Sequence, residues 1–312
     1  MILAPIILFV YNRPDHSRQT IEALAKNHLA KDSILYIFSD GPKSMAQENK
    51  VNEVRQLINK VKNKDLFKEV IIVESPINKG LAQSIKDGVS QVFNQYDKVI
   101  VLEDDLITAV DFLSFINQCL IYYRDKTNIG SVTGYSPIPN LEKQFSKDVY
   151  IANRNSSLGW GTWRNRWSTV DWDCRQYQAF RLNLPQQWAF GNYGLDRVKR
   201  LHRQIQMNST SWSIKFGFHQ FNSGLMTIYP RISRLKHIGW DGSGTHSNTS
   251  EAQTYAHFNS AISSEPSPFH LELPEEDPII RRSFQKIYGG NSIQQWKYRL
   301  SILWIQLLQY YK

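Results

Sequence analysis

The segment Lys98-Val99-Ile100-Val101-Leu102-Glu103-Asp104-Asp105 constrains this chain more than any other. Its four consecutive aliphatic residues, three of them β-branched, suit a strand buried on both faces, as in a parallel sheet. The run then stops in three acids. Carboxylates crowded at the end of a buried strand repel one another and lose hydration, so they need a cation to stay ionised. Oxygen ligands suit a hard divalent ion such as Mg²⁺ or Mn²⁺, and such ions commonly hold substrate phosphates as well. Taken by itself, the triplet reads equally as a solvated acidic turn.

The surrounding pattern gives the triplet a setting. Strands are predicted at Ile6–Val10, Ile34–Phe38, Glu69–Val73, Val99–Leu102 and Ile129–Val132. Helices are predicted at Asp15–Ala30, about Ser44–Val61, from Asn78-Lys79-Gly80 to about Tyr96, and at Asp111–Arg124. This alternation implies a parallel, doubly wound sheet, which binds ligands outside the carboxyl ends of its strands. Three predicted strand ends carry polar residues: Tyr11-Asn12-Arg13, Ser39-Asp40-Gly41 and Glu103-Asp104-Asp105. Each alone is ordinary turn chemistry; together on one sheet edge they favour a nucleotide site. The 312 residues fit one large α/β domain with additions, or two smaller domains. A net charge of +9 favours anionic partners, such as nucleotide phosphates or acidic lipids. No nucleic-acid-binding signature is present. Cys119 and Cys174 make neither a disulfide framework nor a metal-site pattern, so reduced, intracellular thiols are expected. The apolar start, Ile2 to Val10, lacks a basic n-region and reads as a first core strand rather than a signal peptide. With no apolar run of membrane-spanning length, a cytoplasmic protein is expected.

The second half differs in texture. Trp160, Trp163, Trp167, Trp172, Trp188, Trp212 and Trp240 lie in it, and the first three stand at helical spacing, as in a core stripe. Ser264-Glu265-Pro266-Ser267-Pro268 and Pro274-Glu275-Glu276-Asp277-Pro278 predict a chain leaving the main body. The last segment, Ile293–Lys312, has a helical pattern, with Ile293, Trp296, Leu300, Leu303 and Leu307 on one face and Lys297, Arg299 and Lys312 adding charge. It reads either as a helix lying in a membrane interface or as a terminal helix docked on its own domain. His202, His219, His237, His246, His257 and His270 are scattered without zinc-site spacing, and are expected at the surface or in the core.

The ordered blocks Tyr11-Asn12-Arg13-Pro14, Phe38-Ser39-Asp40-Gly41-Pro42, Asn78-Lys79-Gly80-Leu81-Ala82 and Leu102-Glu103-Asp104-Asp105-Leu106 resemble those of GT-A nucleotide-sugar glycosyltransferases. The nearest likeness is to bacterial sugar transferases related to the N-acetylglucosaminyltransferase I family. Leu158-Gly159-Trp160-Gly161-Thr162-Trp163, Ser211-Trp212, Tyr229-Pro230-Arg231-Ile232-Ser233-Arg234 and Ile238–His246 extend the resemblance over roughly residues 1–250. It implies a GT-A type, Rossmann-like α/β fold: a mostly parallel central sheet flanked by helices, an aromatic-rich acceptor half and a C-terminal helix. The implied domain spans 1–262, with a nucleotide-sugar-binding half (1–135) and an acceptor half (136–262). A Pro-rich linker and C-terminal amphipathic helix (263–312) would follow.

Position by position, the resemblance makes Asp105 the direct ligand of Mn²⁺ or Mg²⁺, with Glu103 and Asp104 shaping the site. Tyr11, Asn12 and Arg13 fall near the donor's nucleotide and phosphates, and Asp40 matches an acid that hydrogen-bonds the nucleoside. Asn78, Gly80 and Ser84 belong to a helix start beside the base, whose backbone N–H groups, with Arg13, would help hold the leaving group's charge. His246 lies in a loop, Gly242–His246, that orders over bound donor. Trp160, Trp163 and Trp212 are expected to offer flat faces to an acceptor. The chain departs from the family at Ser213 and Ile214, where N-acetylglucosaminyltransferase I has aspartates, one of them the catalytic base. Serine and isoleucine cannot deprotonate a hydroxyl at neutral pH. Asp196 and Asp241 are therefore the base candidates.

The implied activity is metal-dependent, inverting transfer of a sugar from a nucleotide-diphosphate donor, a UDP-sugar, to a glycan or lipid-linked acceptor. Surface polysaccharide synthesis at the cytoplasmic membrane face, through residues 293–312, is the implied setting. A non-catalytic sugar-nucleotide or glycan-binding module that has lost its base is the alternative. A sugar nucleotidyltransferase is disfavoured, because Tyr11-Asn12-Arg13-Pro14 replaces the glycine- and lysine-rich loop that such enzymes carry after the first strand.

Overall fold

A computed structural model describes residues 2–207, 211–241 and 269–289, together with residues 293, 296, 297, 300, 303, 304 and 307. Among the described residues the sheet begins with four strands, β1 (Ile6–Val10), β2 (Ile34–Ser39), β3 (Glu69–Glu74) and β4 (Lys98–Glu103). They lie in the order β3-β2-β1-β4, and every pair is parallel. Helices α1 (Pro14–Ala25), α2 (Met45–Lys62) and α3 (Leu81–Phe93) make the crossovers. Val99, Ile100, Val101 and Leu102 are all fully buried, as their apolar run requires. Strand order reverses between β1 and β4, with Phe9 opposite Glu103 at the carboxyl end. That crevice is where an open α/β sheet binds its ligands.

Past β4 the chain forms β5 (Leu106–Thr108), α4 (Phe112–Tyr122), β6 (Ile129–Thr133), β7 (Val149–Ala152) and β8 (Trp160–Trp163). Short helices α5 (Arg164–Trp167), α6 (Tyr177–Phe180) and α7 (Leu184–Phe190) precede α8 (Asp196–Gln206) and α9 (Trp212–Asn222). Strands β9 (Met226–Pro230) and β10 (Leu235–His237) follow. The large sheet has the order β3-β2-β1-β4-β8-β6-β9-β7. Strand β8 runs antiparallel to both β4 and β6, so β6 again points with β4; β9 follows β6, and β7 opposes β9. Six strands of the eight thus share one direction, giving the expected mixed α/β, mostly parallel sheet flanked by helices.

The helical spacing of the tryptophans misleads. Trp160 and Trp163 belong to a strand, where residues three apart face opposite sides of the sheet. Trp160 packs on Trp212 and Phe216, at ring-centroid distances of 5.1 and 5.6 Å, with Trp167 at 5.7 Å. Trp163 joins the core on the other side, and its indole N–H donates to the Leu120 carbonyl at 2.9 Å. Trp160, Trp163 and Trp212 are 1%, 3% and 4% exposed. None of the three offers a face to an acceptor; they hold α9 and β8 against the sheet.

The expected departure of the chain after residue 263 is also corrected for the part described. Phe269 packs edge-on against Phe115 at 5.1 Å, and the Tyr123 hydroxyl donates to the Glu272 carbonyl. Pro278 then opens a helix missed by the sequence reading, α10 (Pro278–Gly289), in the first-turn position where proline is well tolerated. Its Ile280 and Phe284 are fully buried, with Phe284 against Tyr229 at 5.4 Å and Tyr193 at 5.6 Å. Residues 269–289 pack on the body of the fold rather than leaving it.

Candidate active site

Two elements meet at the crevice between β1 and β4. Arg13 caps α1 just beyond β1, and Asp104 and Asp105 form the turn just beyond β4. A single guanidinium nitrogen of Arg13, Nη2, donates to Asp104 Oδ1 and, at 2.8 Å, to Asp105 Oδ2. Helix α1 fixes the turn from beneath: Thr20 Oγ1 donates to the Asp104 carbonyl at 2.8 Å and accepts the Leu106 N–H at 3.1 Å. Both aspartates are buried.

The three acids are not equivalent. Burial, reinforced by the charges of Asp105 and Asp104, pushes Glu103 up to about 8, so it is protonated at neutral pH. Burial also raises Asp104, with Arg13 opposing. Burial acts on Asp105 in the same direction, but the hydrogen bond and charge of His237 and those of Arg13 outweigh it and bring the carboxyl down to about 2. Asp105 is held ionised.

His237 reaches Asp105 through a pairing remote in sequence. Strand β10 runs antiparallel to β5 with His237 opposite Leu106, and the Ile238 N–H donates to the Asp105 carbonyl at 2.9 Å. This sets His237 Nε2 3.2 Å from Asp105 Oδ2. A Cβ on Gly239 would fall 2.3 Å from the same oxygen, so only glycine fits there. Trp240 packs edge-on against the His237 ring at 4.7 Å, and His16 Nε2 lies 3.2 Å from Asp241 Oδ2. The sequence reading passed over His16 and His237. The signal available for His237 was its place two residues before Gly239-Trp240, directly ahead of the block Ile238–His246 marked by the resemblance.

Asp40, at the end of β2, proves to be a loop organiser. Its Oδ1 accepts the N–H groups of Gly41 and Lys79, both at 2.9 Å; its Oδ2 accepts Gly80 N–H at 2.9 Å and Asn78 Nδ2 at 3.1 Å. Gly80, at φ +76°, and Gly41, whose Cβ would meet the Ile77 backbone at 2.5 Å, let the loop close this tightly. The Gly80 N–H is therefore engaged by Asp40 rather than pointed at a phosphate. Ser84 continues the first turn of α3, bonded to the Gly80 carbonyl at 3.0 Å. Tyr11 donates to Gln47 Oε1 and accepts the Lys43 N–H at 3.0 Å; Asn12 stands between Tyr11 and Arg13, half-buried.

Of the two base candidates, only Asp241 contacts this cluster's surroundings. Asp196 is held by Arg154, both oxygens at 2.8 Å, and Arg154 lies over the Tyr288 ring at 3.7 Å. Ser213, at the start of α9, offers its carbonyl to Asn155 Nδ2 at 2.9 Å, and its hydroxyl lies 3.4 Å from that of Ser211. His246 lies outside the described residues. Among the described residues no group of three His, Cys, Asp or Glu side chains is arranged to hold a metal alone. Asp105 nevertheless fits one: it is ionised, and the described residues engage only its Oδ2. A divalent ion takes one or two carboxylates and completes its shell with phosphate oxygens and water.

No family model matches the chain. Over 221 residues it is 27% identical to an alpha-1,3-mannosyl-glycoprotein 2-beta-N-acetylglucosaminyltransferase of Arabidopsis thaliana, a match covering 62% of this chain and 48% of that protein. The chain is similar to a glycosyltransferase. It spans about half the length of that curated relative. Among solved structures, residues 1–349 of S. aureus TarS align at a TM-score of 0.44 and 9% identity, covering 96% of this chain and 72% of the other. A further TarS structure aligns at 0.31 and 13% identity, covering 42% of this chain and 21% of that one.

Proposed function

We propose that this protein is a metal-dependent glycosyltransferase that moves a sugar from a nucleotide-diphosphate donor, a UDP-sugar, to a glycan or lipid-linked acceptor. The observation that carries the reading is the Arg13–Asp104–Asp105 cluster at the strand-order reversal, with Asp105 held ionised and reached by His237. A crevice of this kind suits a diphosphate. Arg13 spends Nη2 on the aspartates, while its buried Nη1 makes no hydrogen bond among the described residues. That nitrogen is a donor suited to a phosphate oxygen, in a setting where charge-assisted bonds are strongest. Asp105 would hold the divalent ion, which supplies Lewis-acid stabilisation of the leaving diphosphate when bound. The Asp40-braced loop, with Ile77 and Leu81 exposed beside Asn78, forms the adjoining wall for the nucleoside.

Attack by an acceptor hydroxyl in one displacement inverts the anomeric centre, and it needs a base. Asp241 is our assignment, because it is half-exposed and paired with His16, whereas Arg154 engages both oxygens of Asp196. The resemblance supports a role in bacterial surface polysaccharide synthesis. The test is sugar-nucleotide turnover with Mn²⁺, comparing the wild type with Asp105→Ala. Transfer or donor hydrolysis by the wild type, lost with the substitution, is the expected outcome. Absence of turnover from every sugar nucleotide, with donor and metal binding unchanged in Asp105→Ala, defeats the reading. Ser213 and Ile214 favour one rival, a binding module without catalysis; tight donor binding in calorimetry, without product across an acceptor panel, would establish it.

A further inference from the structure

The described helical residues beyond α10 carry exposed apolar side chains. Ile293, Trp296, Leu300, Leu303, Trp304 and Leu307 are 37–66% exposed. At about 100° per residue all six fall within an arc of about 100°, the width of a burying face. A terminal helix docked on its own domain would hide that stripe. We propose that this segment seats the protein on an anionic lipid bilayer, lying in the headgroup interface. This partner assignment stands independently of the transferase reading.

Three observations select a bilayer. From Pro278 to Lys312 the sequence carries Arg281, Arg282, Lys286, Lys297, Arg299 and Lys312, and not one acidic residue. Exposed Lys297 follows directly on Trp296, where its long stem can run beside the apolar stripe while its ammonium reaches a phosphate. Trp296 and Trp304 supply the amphipathic rings that favour the membrane–water boundary. A second copy of the chain would cover the stripe as well, but pairing identical, wholly basic segments sets like charges side by side. An anionic surface turns the same charge into attraction, worth about fivefold in partitioning for each basic residue near it. The segment would lie on the bilayer rather than cross it, since Lys297 and Arg299, with Gln294, Gln295, Gln306 and Gln309, leave no apolar run of membrane-spanning length. Upstream, α10 is pinned to the body by Ile280 and Phe284, while its Arg282 and Lys286 face outward. Only a few residues separate this anchor from Ile293, so membrane attachment would be passed to the folded domain rather than lost in a long tether.

The experiment is flotation of the full chain with vesicles of phosphatidylcholine alone and of phosphatidylcholine mixed with phosphatidylglycerol. The wild type is expected to float with the mixed vesicles and much less with the neutral ones. Combined Trp296→Ser and Trp304→Ser should weaken binding by roughly 50-fold, and Lys297→Glu by at least about fivefold. These sites are exposed, and unchanged circular dichroism and thermal unfolding would exclude misfolding as the cause. Failure of the wild type to bind mixed vesicles overturns the proposal, as does undiminished binding by the variants. A dimer in light scattering that the tryptophan substitutions dissociate, without vesicle binding, assigns the stripe to a second copy and overturns it too. The assay needs no turnover, so its result is separate from that of the Asp105→Ala test.

Discussion

Gly239→Ala isolates the geometry of the acid cluster with a single methyl group. The added Cβ would stand 2.3 Å from Asp105 Oδ2, against an ordinary contact of 3.4 Å or more, so about 1.1 Å must be found. Asp105 cannot yield cheaply, because the same oxygen is held by Arg13 at 2.8 Å and lies 3.2 Å from His237. If the carboxylate moves, those contacts stretch beyond hydrogen-bonding range; if the backbone moves, the bond from Ile238 N–H to the Asp105 carbonyl goes instead. Loss of one hydrogen bond to a charged group costs about 1.5–3 kcal/mol. A misplacement of about 1 Å in a reacting constellation costs on the order of 100-fold in rate. The expected result is a fall of roughly 100-fold in kcat/KM for sugar transfer, with Mn²⁺-dependent donor affinity reduced in parallel. Gly224→Ala is the control: at φ +66° with no atom within 4 Å of a new Cβ, it strains the backbone without touching the site. Its stability should fall by about 1 kcal/mol while kinetics stay as in the wild type. Transfer by Gly239→Ala within twofold of the wild type would refute the reasoning, since it would mean that Asp105's placement does not govern the reaction.

Asp40→Asn should loosen the 78–80 loop: an amide nitrogen cannot accept either pair of N–H groups that the carboxylate now takes, at about 1–3 kcal/mol for each buried donor left unpaired. Faster hydrogen exchange at Lys79 and Gly80 with weaker donor binding is expected, and unchanged exchange would show that Asp40 is not the brace. Phe284→Ala empties a fully buried site among tyrosines and should cost about 3–5 kcal/mol in denaturant unfolding; a loss below about 1 kcal/mol would mean that α10 is not integral to the domain. His202 is buried and bonded to Tyr177 and Gln187, and burial brings its pKa down to about 4. Between about 6.5 and 4 the unfolded chain therefore binds a proton that the folded chain refuses, so stability falls as pH falls through that window, by about 2–3 kcal/mol. His202→Phe should flatten the acid side of the unfolding profile, and an unaltered slope would assign the acid sensitivity elsewhere.

The parts of the fold legible in the sequence are those written in local periodicity. Strand β1 lies at Ile6–Val10, where its continuous apolar run placed it, and β4 differs only by one residue at each end. The first βα units follow from the same signal. Strand β8 was illegible because Trp160-Gly161-Thr162-Trp163 is too short to show alternation, and its tryptophans happen to repeat at a helical interval through Trp167. Helix α10 was hidden by Pro278, read as a breaker when it sits where a helix tolerates it. His237 was hidden for a different reason. Its role depends on three-residue strands pairing across more than a hundred residues, and no local pattern encodes that register.

The acid triplet shows how far such a reading can reach. Crowded carboxylates at a buried strand end do require compensation, and the fold supplies most of it internally. A proton neutralises Glu103, Arg13 pairs with Asp104, and Asp105 stays ionised between Arg13 and His237. The division comes from the partners: Asp104 and Asp105 leave the strand in a turn where both reach Arg13, and only Asp105 also reaches His237. The residual demand for a cation is therefore that of one carboxylate, not three. One carboxylate cannot cage a divalent ion by itself, but it can seat one whose remaining ligands arrive on a diphosphate. On this argument the triplet is a half-site, and its affinity for the ion should be understood together with that of the donor that completes it.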